Sequence, residues 1–350
     1  MSGDDSRRLS RNNFDLLRLL FAATVCLVHA HELSGFNELG WFSGWLSAAV
    51  AVKAFFVVSG FLIFMSHERS KSLAAYASKR VRRIYPAYFT VVSLSAIGLV
   101  AISTASVGEY FSLSWVRYLV ANLTFLNFLQ PTLPGVFEAN RLAAVNGALW
   151  TLKIEVMFYL LVPFYGVLFR KFSLLPVLLL TYAASVAYGG LFSLAAERTG
   201  DAIYAELGRQ LPGQLCYFMA GAFLYYYQAL FERRLGCFLL AALAVLAIDL
   251  LYALPLLEPF ALAVVVVFFG LFAYVGNFSK YGDFSYGVYI IHFPVIQLLV
   301  DAGCFRDRPW PFFGVFVAIT AVGAMALWHL VEKRFLLRGS HYVAADTAAR

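Results

Sequence analysis

Residues 13–33 read NFDLLRLLFAATVCLVHAHEL, and this stretch decides the fold class. A helix needs about 20 predominantly apolar residues to cross the hydrocarbon core of a bilayer, and the stretch has that length. The polar start MSGDDSRRLSRNN precedes the apolar run that begins at Phe14, and no small-residue cleavage site follows a short apolar region. We therefore expect a retained membrane span here and not a removable signal peptide.

The composition extends this expectation to the whole chain. Of its 350 residues, 61% are hydrophobic and 13% are charged, against roughly 45–50% and about 25% in soluble globular proteins. A soluble fold of this size could not bury so much apolar surface in one core. The composition thus predicts an all-α, polytopic membrane helical bundle. The cysteines are scattered without metal-ligand spacing, which predicts no metal site: Cys26, Cys216, Cys237 and Cys304.

About ten stretches have the length and apolarity of a membrane-spanning helix. They lie near residues 14–33, 45–65, 85–106, 147–169, 173–194, 210–230, 236–254, 258–276, 284–303 and 311–332. The segment 111–130 is also apolar, but it contains Arg117, Asn122 and Asn127. We expect this segment to be interfacial or re-entrant and not a span.

The net charge of +7 comes from basic residues that flank the apolar stretches, where lipid head groups would lie. This placement favours a lipid bilayer over a nucleic-acid partner. If the N-terminus is cytoplasmic, Lys and Arg are about three times as frequent in the inner segments as in the outer ones, which predicts ten spans with both termini inside. We expect residues 1–340 to form a single membrane domain and residues 341–350 to form a cytoplasmic tail.

Charged residues inside the spans are candidates for function, because each costs roughly 2.5–3.5 kcal/mol near the bilayer centre. Arg18 and His29 are eleven residues apart on the first span. This separation is three helical turns plus about 20°, so both side chains project from one face, roughly 16 Å apart along the axis. Asp15 precedes Arg18 by one turn and can hold its guanidinium. The alternative is a snorkelling arginine and an interfacial histidine that satisfy only their own polarity.

Three further groups of polar residues lie in or beside the spans. Arg80 and Arg83 are one helical turn apart, and such a pair either grips a phosphate or fixes topology beside anionic lipid. Lys53 and Glu155 lie at matched depths in their spans, so we expect them to pair across helices. The segment SYGVYIIH (285–292) ends in a histidine near mid-membrane, which alone is more typical of a satisfied core residue.

Together these segments resemble the acyltransferase-3 family, the integral-membrane bacterial O-acyltransferases that act on saccharides. The resemblance rests on several short blocks that occur in family order over almost the whole chain. The matching positions are Asp15, Arg18 and His29; 51–62; Arg80, Arg83, Tyr85 and Pro86; Trp150, Thr151, Leu152 and Glu155; Ser285, Tyr286, Tyr289 and His292; and Val331, Glu332 and Lys333. Two positions depart from the pattern, since Lys53 replaces an acidic residue and Thr151 replaces a serine. The role of that acid cannot be transferred.

The resemblance implies an acyl donor, expected to be acetyl-CoA, that is presented from the cytoplasm. It also implies an acceptor hydroxyl at the outer face of the bacterial inner membrane, on lipopolysaccharide, exopolysaccharide or a related saccharide. No permanently bound cofactor is expected. The phosphates of CoA would dock at Arg18, Arg80 and Arg83, with Asp15 holding Arg18 in the same donor site.

His29 is the residue that we expect to perform the chemistry. A neutral imidazole suits a general base near pH 7, and it can also carry the acyl group covalently; both routes stay open. The pantetheine arm of CoA would run up a tunnel beside the first helix toward His29, and Glu155 joins the catalytic set by shaping this tunnel. Glu32 either orients the His29 ring or is solvated in the outer loop, and we expect the latter. The residues expected to bind the acceptor are Lys53, Tyr286, Tyr289 and His292.

A proton-coupled transporter or flippase of a glycan intermediate is the alternative function, because such carriers also use intramembrane His, Glu and Arg. The sequence shows no pair of Gly/Pro-broken spans in corresponding positions of two halves, which argues against this alternative. A structural scaffold of an export complex would leave the buried Lys53 and Glu155 without a reason.

Overall fold

The computed structural model describes residues 11–276, 278, 282–303 and 305–337. Within these ranges all regular secondary structure is helical and no residue forms a β-strand, which confirms the all-α prediction. Most of the polar start, Cys304 and the predicted tail 341–350 lie outside the described residues, so the predictions made for them are not tested.

The described chain is a series of α-helices joined by loops, of which several contain a 3₁₀ turn and one, 124–149, is long. The α-helices are α1 (Phe14–Ser34), α2 (Gly40–Trp45), α3 (Ala48–Glu68), α4 (Leu73–Gly98), α5 (Val107–Tyr110), α6 (Leu113–Leu123), α7 (Trp150–Phe172), α8 (Leu174–Thr199), α9 (Ala202–Gly208), α10 (Leu211–Tyr226), α11 (Gln228–Arg233), α12 (Leu235–Asp249), α13 (Glu258–Leu271), α14 (Ser285–Asp301) and α15 (Pro309–Leu327). A π-turn at Trp328–Glu332 continues α15 into a last helical turn at Lys333–Phe335.

Six helices within the described ranges are long and apolar enough to cross a membrane. They are Phe14–Ser34, Ala48–Glu68, Leu73–Ile102, Gly147–Phe172, Leu174–Thr199 and Pro309–Phe335. The other four predicted spans coincide with α10, α12, α13 and α14, which have only 14 to 17 residues. A helical membrane protein is therefore supported, while the count of about ten spans and the cytoplasmic termini stay predictions.

The third long helix begins twelve residues earlier than the predicted span near 85–106. It starts at Leu73 and runs through Pro86. The basic run before the proline is rich in Ala, Lys and Arg, which favour helix outside the hydrocarbon as well as within it. Pro86 removes one backbone hydrogen bond without ending the helix. Arg80 and Arg83 therefore lie on a helix that continues into the apolar part of the chain.

The segment 111–130 forms a short helix instead of a long one. α6 has 11 residues, which gives it a length of about 16 Å, well below the roughly 30 Å of a hydrocarbon core. Its end is fixed by Asn122, whose amide donates to the carbonyls of Tyr118 (2.9 Å) and Gln130 (3.0 Å). This length agrees with leaving the segment out of the spans.

The chain divides into two compact units. The first consists of Met1–Arg18, Val52–Ala77 and Ile154–Asn277. In its core α3 and α10 touch backbone to backbone at glycines. A Cβ added at Gly60 would lie 1.9 Å from the carbonyl oxygen of Phe218, and one added at Gly221 would lie 2.1 Å from that of Val57. Small residues at this contact allow the close approach of the two helices.

The second unit consists of Leu19–Ala51, Ser78–Lys153 and Phe278–Arg350. Its α14 packs on α15, where a Cβ at Gly287 would lie 3.0 Å from the Cα atom of Ala324. The loop after α1 is held on the start of α15 by ring contacts, with 5.3 Å between the centroids of Phe36 and Phe312. This unit contains both histidines of the site described next.

Candidate active site

Two histidines from different helices meet in the second unit. His29 lies near the end of α1 and His292 lies in the middle of α14, and 2.9 Å separates Nδ1 of His29 from Nε2 of His292. The planes of the two rings differ by 24° and their centroids are 5.2 Å apart, so the rings meet edge to edge. His292 is fully buried, whereas the side chain of His29 is 20% exposed. One imidazole is therefore accessible and is supported by a second that is not.

The other ring nitrogen of His292 is held by its own helix. Nδ1 lies 2.7 Å from the backbone carbonyl oxygen of Tyr289. The phenol of Tyr289 lies 2.7 Å from Oγ1 of Thr151 at the start of α7. Thr151 in turn donates to the carbonyl of Ala148 at 3.1 Å, so its hydroxyl accepts from Tyr289. Threonine at this position thus keeps the hydroxyl that holds the turn of α14 before His292.

The loop before α7 supplies polar partners to α14 that the sequence analysis missed. Pro294 has no N–H to donate to the carbonyl of Ile290, and the amide of Asn146 donates to that carbonyl instead at 2.8 Å. One turn further on, Gln297 donates to the carbonyls of Leu142 (2.5 Å) and Ala144 (2.8 Å). A proline and a glutamine inside one apolar segment are the sequence signals that could have indicated these contacts.

Glu32 lies on α1 and not in the outer loop, because the helix continues to Ser34. Its Oε2 is 4.0 Å from Nε2 of His29, at the limit of an ion pair, and its side chain is 56% exposed. The carboxylate is thus accessible to water while lying on the side of the His29 ring opposite to His292. Glu32 is therefore both exposed to water and close to the His29 ring, so the two expectations for it are compatible.

A buried ionic cluster lies at the N-terminal end of α14. The guanidinium of Arg83 donates to Oε2 of Glu332 at 3.1 Å and to Oδ2 of Asp283. The side chains of the two acids are 2% and 1% exposed, respectively. Tyr286 adds a hydrogen bond from its phenol to the carbonyl of Ile84 at 3.1 Å. Asp283 was not singled out from the sequence, and the phosphate-binding role of Arg83 stays a prediction.

The predicted pair of Lys53 and Glu155 is wrong. Within the first unit, Nζ of Lys53 lies 3.3 Å from Oε1 of Glu258, whose Oε2 accepts the phenol of Tyr217 at 2.6 Å. Glu155 instead accepts the phenol of Tyr159 at 2.6 Å, one turn further along α7. Matched depth in the sequence did not identify Glu258, which begins α13, as the acid that contacts Lys53. At the first turn of α13, its charge is further favoured by the helix dipole.

The remaining predicted site residues keep the positions that the helices give them. Arg18 and His29 lie on one uninterrupted helix, so their spacing of three turns stands. Asp15, Arg18 and Arg80 are half-buried. The hold of Asp15 on Arg18 and the docking of CoA phosphates at these residues stay predictions. Within the part of the chain that the structure describes, no group of three His, Cys, Asp or Glu side chains is placed to hold a metal ion.

Comparison with known proteins gives one family match over nearly the whole chain. The family model described as "Acyltransferase domain" matches residues 11–329. The chain is 28% identical over 344 residues to an O-acetyl transferase of Shigella phage Sf6, covering 96% of this chain and 99% of the relative. It is 28% identical to Nodulation protein 10 of Rhizobium leguminosarum bv. viciae, covering 92% of each chain.

A third relative is the exopolysaccharide production protein ExoZ of Rhizobium meliloti (strain 1021), which is 26% identical over 93% of this chain and 99% of its own length. No solved structure matches the chain. The matched residues include both histidines, Arg83 and Asp283, while Glu332 of the Arg83 cluster lies three residues beyond the end of the match. The chain belongs to the acyltransferase-3 family and is a membrane acyltransferase.

Proposed function

We propose that this acyltransferase moves an acetyl group from acetyl-CoA to a hydroxyl of an exported or cell-surface saccharide. The relative named O-acetyl transferase supports the acyl group, and the relative named for exopolysaccharide production supports the acceptor class. The single observation that carries the proposal is the partly exposed imidazole of His29, held 2.9 Å from the buried His292 inside a membrane helix. A neutral imidazole so placed can take a proton from a hydroxyl group.

The His29 imidazole acts as the general base in the direct route. It takes the proton of the saccharide hydroxyl while the hydroxyl oxygen attacks the carbonyl carbon of the thioester. The new C–O bond forms, the C–S bond breaks, and the CoA sulfur leaves with the proton from His29. A correctly placed base of this kind contributes about 10²–10⁴-fold to the rate.

A covalent route uses the same residue as an acyl carrier. A ring nitrogen of His29 attacks the thioester, the CoA sulfur leaves as the thiol with the ring proton, and an acyl-imidazole remains. The saccharide oxygen then takes the acyl group, and its proton returns to the ring. Radiolabel that stays on denatured protein after mixing with labelled acetyl-CoA alone supports this route, and its absence supports direct transfer.

The donor enters from the cytoplasmic side of a bacterial inner membrane in this proposal. Arg18 and Arg80 are half-buried cations suited to the CoA phosphates, with Asp15 beside Arg18. Arg83, which is paired with Asp283 and Glu332, is the third candidate for these phosphates. The distribution of Lys and Arg over the loops supports cytoplasmic termini.

The acceptor approaches the imidazole of His29 from the outer face. Lys53 and Glu155 stay candidates for its binding surface and for the wall of the tunnel. Lys53 keeps a third of its side chain exposed beside Glu258. The phenols of Tyr286 and Tyr289 form hydrogen bonds within the second unit. These residues therefore contribute to acceptor binding by holding α14 in place.

The decisive experiment uses the purified protein in lipid nanodiscs. It measures the release of CoA and the transfer of radiolabel from labelled acetyl-CoA to the saccharide. We expect His29→Ala to lower both rates by at least about 100-fold. His31→Gln is the matched control, because His31 lies on the same helix and its Nδ1 faces the carbonyl of Phe36 at 2.9 Å. Activity of His29→Ala that equals that of the wild type would contradict the proposal.

A further inference from the structure

We infer that His292 is a positioning residue that fixes the tautomer of His29, so that Nε2 of His29 is the nitrogen that meets the reacting groups. The inference rests on the proposed role of His29 and specifies which atom performs it. It follows from the order of hydrogen-bond donors and acceptors along a short relay inside the second unit. The relay consists of the backbone carbonyl of Tyr289, the ring of His292 and the ring of His29.

The relay begins at a backbone carbonyl that can only accept. Because the oxygen of Tyr289 lies 2.7 Å from Nδ1 of His292, that nitrogen must carry the proton. A neutral imidazole carries a single N–H, so Nε2 of His292 has its lone pair free to accept. The backbone of α14 therefore determines which ring nitrogen of His292 carries the proton.

The same argument applies to the ring of His29. Nε2 of His292 lies 2.9 Å from Nδ1 of His29, so Nδ1 of His29 is the donor. Neutral His29 then has its lone pair on Nε2. The carboxylate of Glu32 approaches that nitrogen to 4.0 Å, beyond hydrogen-bond length, and is placed to stabilise the imidazolium that forms when Nε2 takes a proton.

The relay is rigid because its inner members are buried and held. His292 is fully buried, and Phe293 next to it contacts His29 edge-on, with 5.8 Å between the ring centroids. The phenol of Tyr289 is held by Thr151, so the turn that carries the accepting carbonyl is fixed from outside the helix. A base whose orientation is set by a buried neighbour follows the logic of the serine-protease triad, with a histidine and a carbonyl in place of the carboxylate.

Three substitutions of His292 separate this role from simple packing. His292→Gln places an accepting oxygen near the position of Nε2, His292→Asn keeps an amide only near Nδ1, and His292→Phe keeps the ring shape alone. We expect kcat to fall at least about tenfold in His292→Asn and His292→Phe, while KM for acetyl-CoA changes less than about twofold. His292→Gln should recover most of the loss, because it alone can accept from His29.

A spectroscopic test needs no active variant. Protein labelled with ¹⁵N-histidine should show His29 protonated at Nδ1 and unprotonated at Nε2, with the His29 signals assigned from their loss in His29→Gln. His292→Phe should abolish that preference. A wild-type His29 protonated at Nε2 would overturn the inference, as would equal kcat values for the Gln and Phe variants. Active His29→Ala would instead overturn the proposed function and leave the tautomer measurement standing.

Discussion

The carbonyl of Ile290 shows how a single residue determines its surroundings in a buried helix. Ile290 is fully buried, so water cannot replace the hydrogen bond that Pro294 removes, and another donor must reach the carbonyl. Asn146 supplies it from a loop that is 144 residues distant in sequence. The proline thus fixes where the loop before α7 must lie, and with it the turn of α14 that carries His292.

We predict that Asn146→Leu destabilises the protein by about 1–3 kcal/mol, because it leaves a buried carbonyl without a donor. Pro294→Ala restores the backbone N–H at that position and should remove most of the penalty when combined with Asn146→Leu. Thermal unfolding of the two single variants and the double variant in detergent gives the coupling energy. The cycle cancels the separate bond of Asn146 to the N–H of Ala148 at 3.2 Å. Additive effects would contradict the prediction.

The sequence predicted some residues of the site well and others poorly, for a physical reason. The common face of Arg18 and His29 follows from the geometry of one helix, which is local and therefore readable. Partners across helices depend on packing that no spacing encodes. This is why Glu258 was missed as the partner of Lys53, and why His292 was identified only as a candidate and not as the neighbour of His29.

At the scale of elements, glycine contacts determine how closely helices approach. α3 and α10 meet at Gly60 and Gly221, where a Cβ would enter the carbonyl oxygen of the other helix. Helix existence was predictable from the apolar stretches, because length and composition suffice for it. Helix ends were less predictable, because α4 begins at Leu73, well before the apolar stretch near 85–106 that indicated a span.

We predict that Gly60→Ala destabilises the protein by about 1–3 kcal/mol or more, because the new methyl group would lie 1.9 Å from the Phe218 oxygen and force the helices apart. Gly189→Ala is the matched control, since Gly189 lies inside α8 with nothing within 4 Å of an added Cβ. That variant should be neutral or slightly stabilising. Thermal unfolding in detergent compares the two, and equal melting temperatures would be inconsistent with a close helix contact.

At the scale of the whole molecule, the number of membrane crossings depends on the four short helices among the ten predicted spans. Length and apolarity support six of the ten predicted spans. The others are shorter, and α12 and α13 have 15 and 14 residues. Two such helices either cross a locally thinned bilayer or form a hairpin that enters and leaves on one side. The difference between a crossing and a hairpin matters for function, because it determines which side of the membrane Glu258, the partner of Lys53, faces.

Ten spans place the loop between α12 and α13 outside the cell, and this placement can be measured. In a background without the native cysteines, we expect Ala253→Cys to react with a membrane-impermeant maleimide in intact cells, because Ala253 is exposed in that loop. Gly200→Cys, in the predicted outer loop after α8, should behave in the same way, whereas Ser72→Cys should react only after permeabilisation. Labelling of Ala253→Cys that requires permeabilisation would mean that α12 does not cross the bilayer as predicted. The Lys53–Glu258 pair would then lie on the cytoplasmic side, away from an acceptor that approaches from outside.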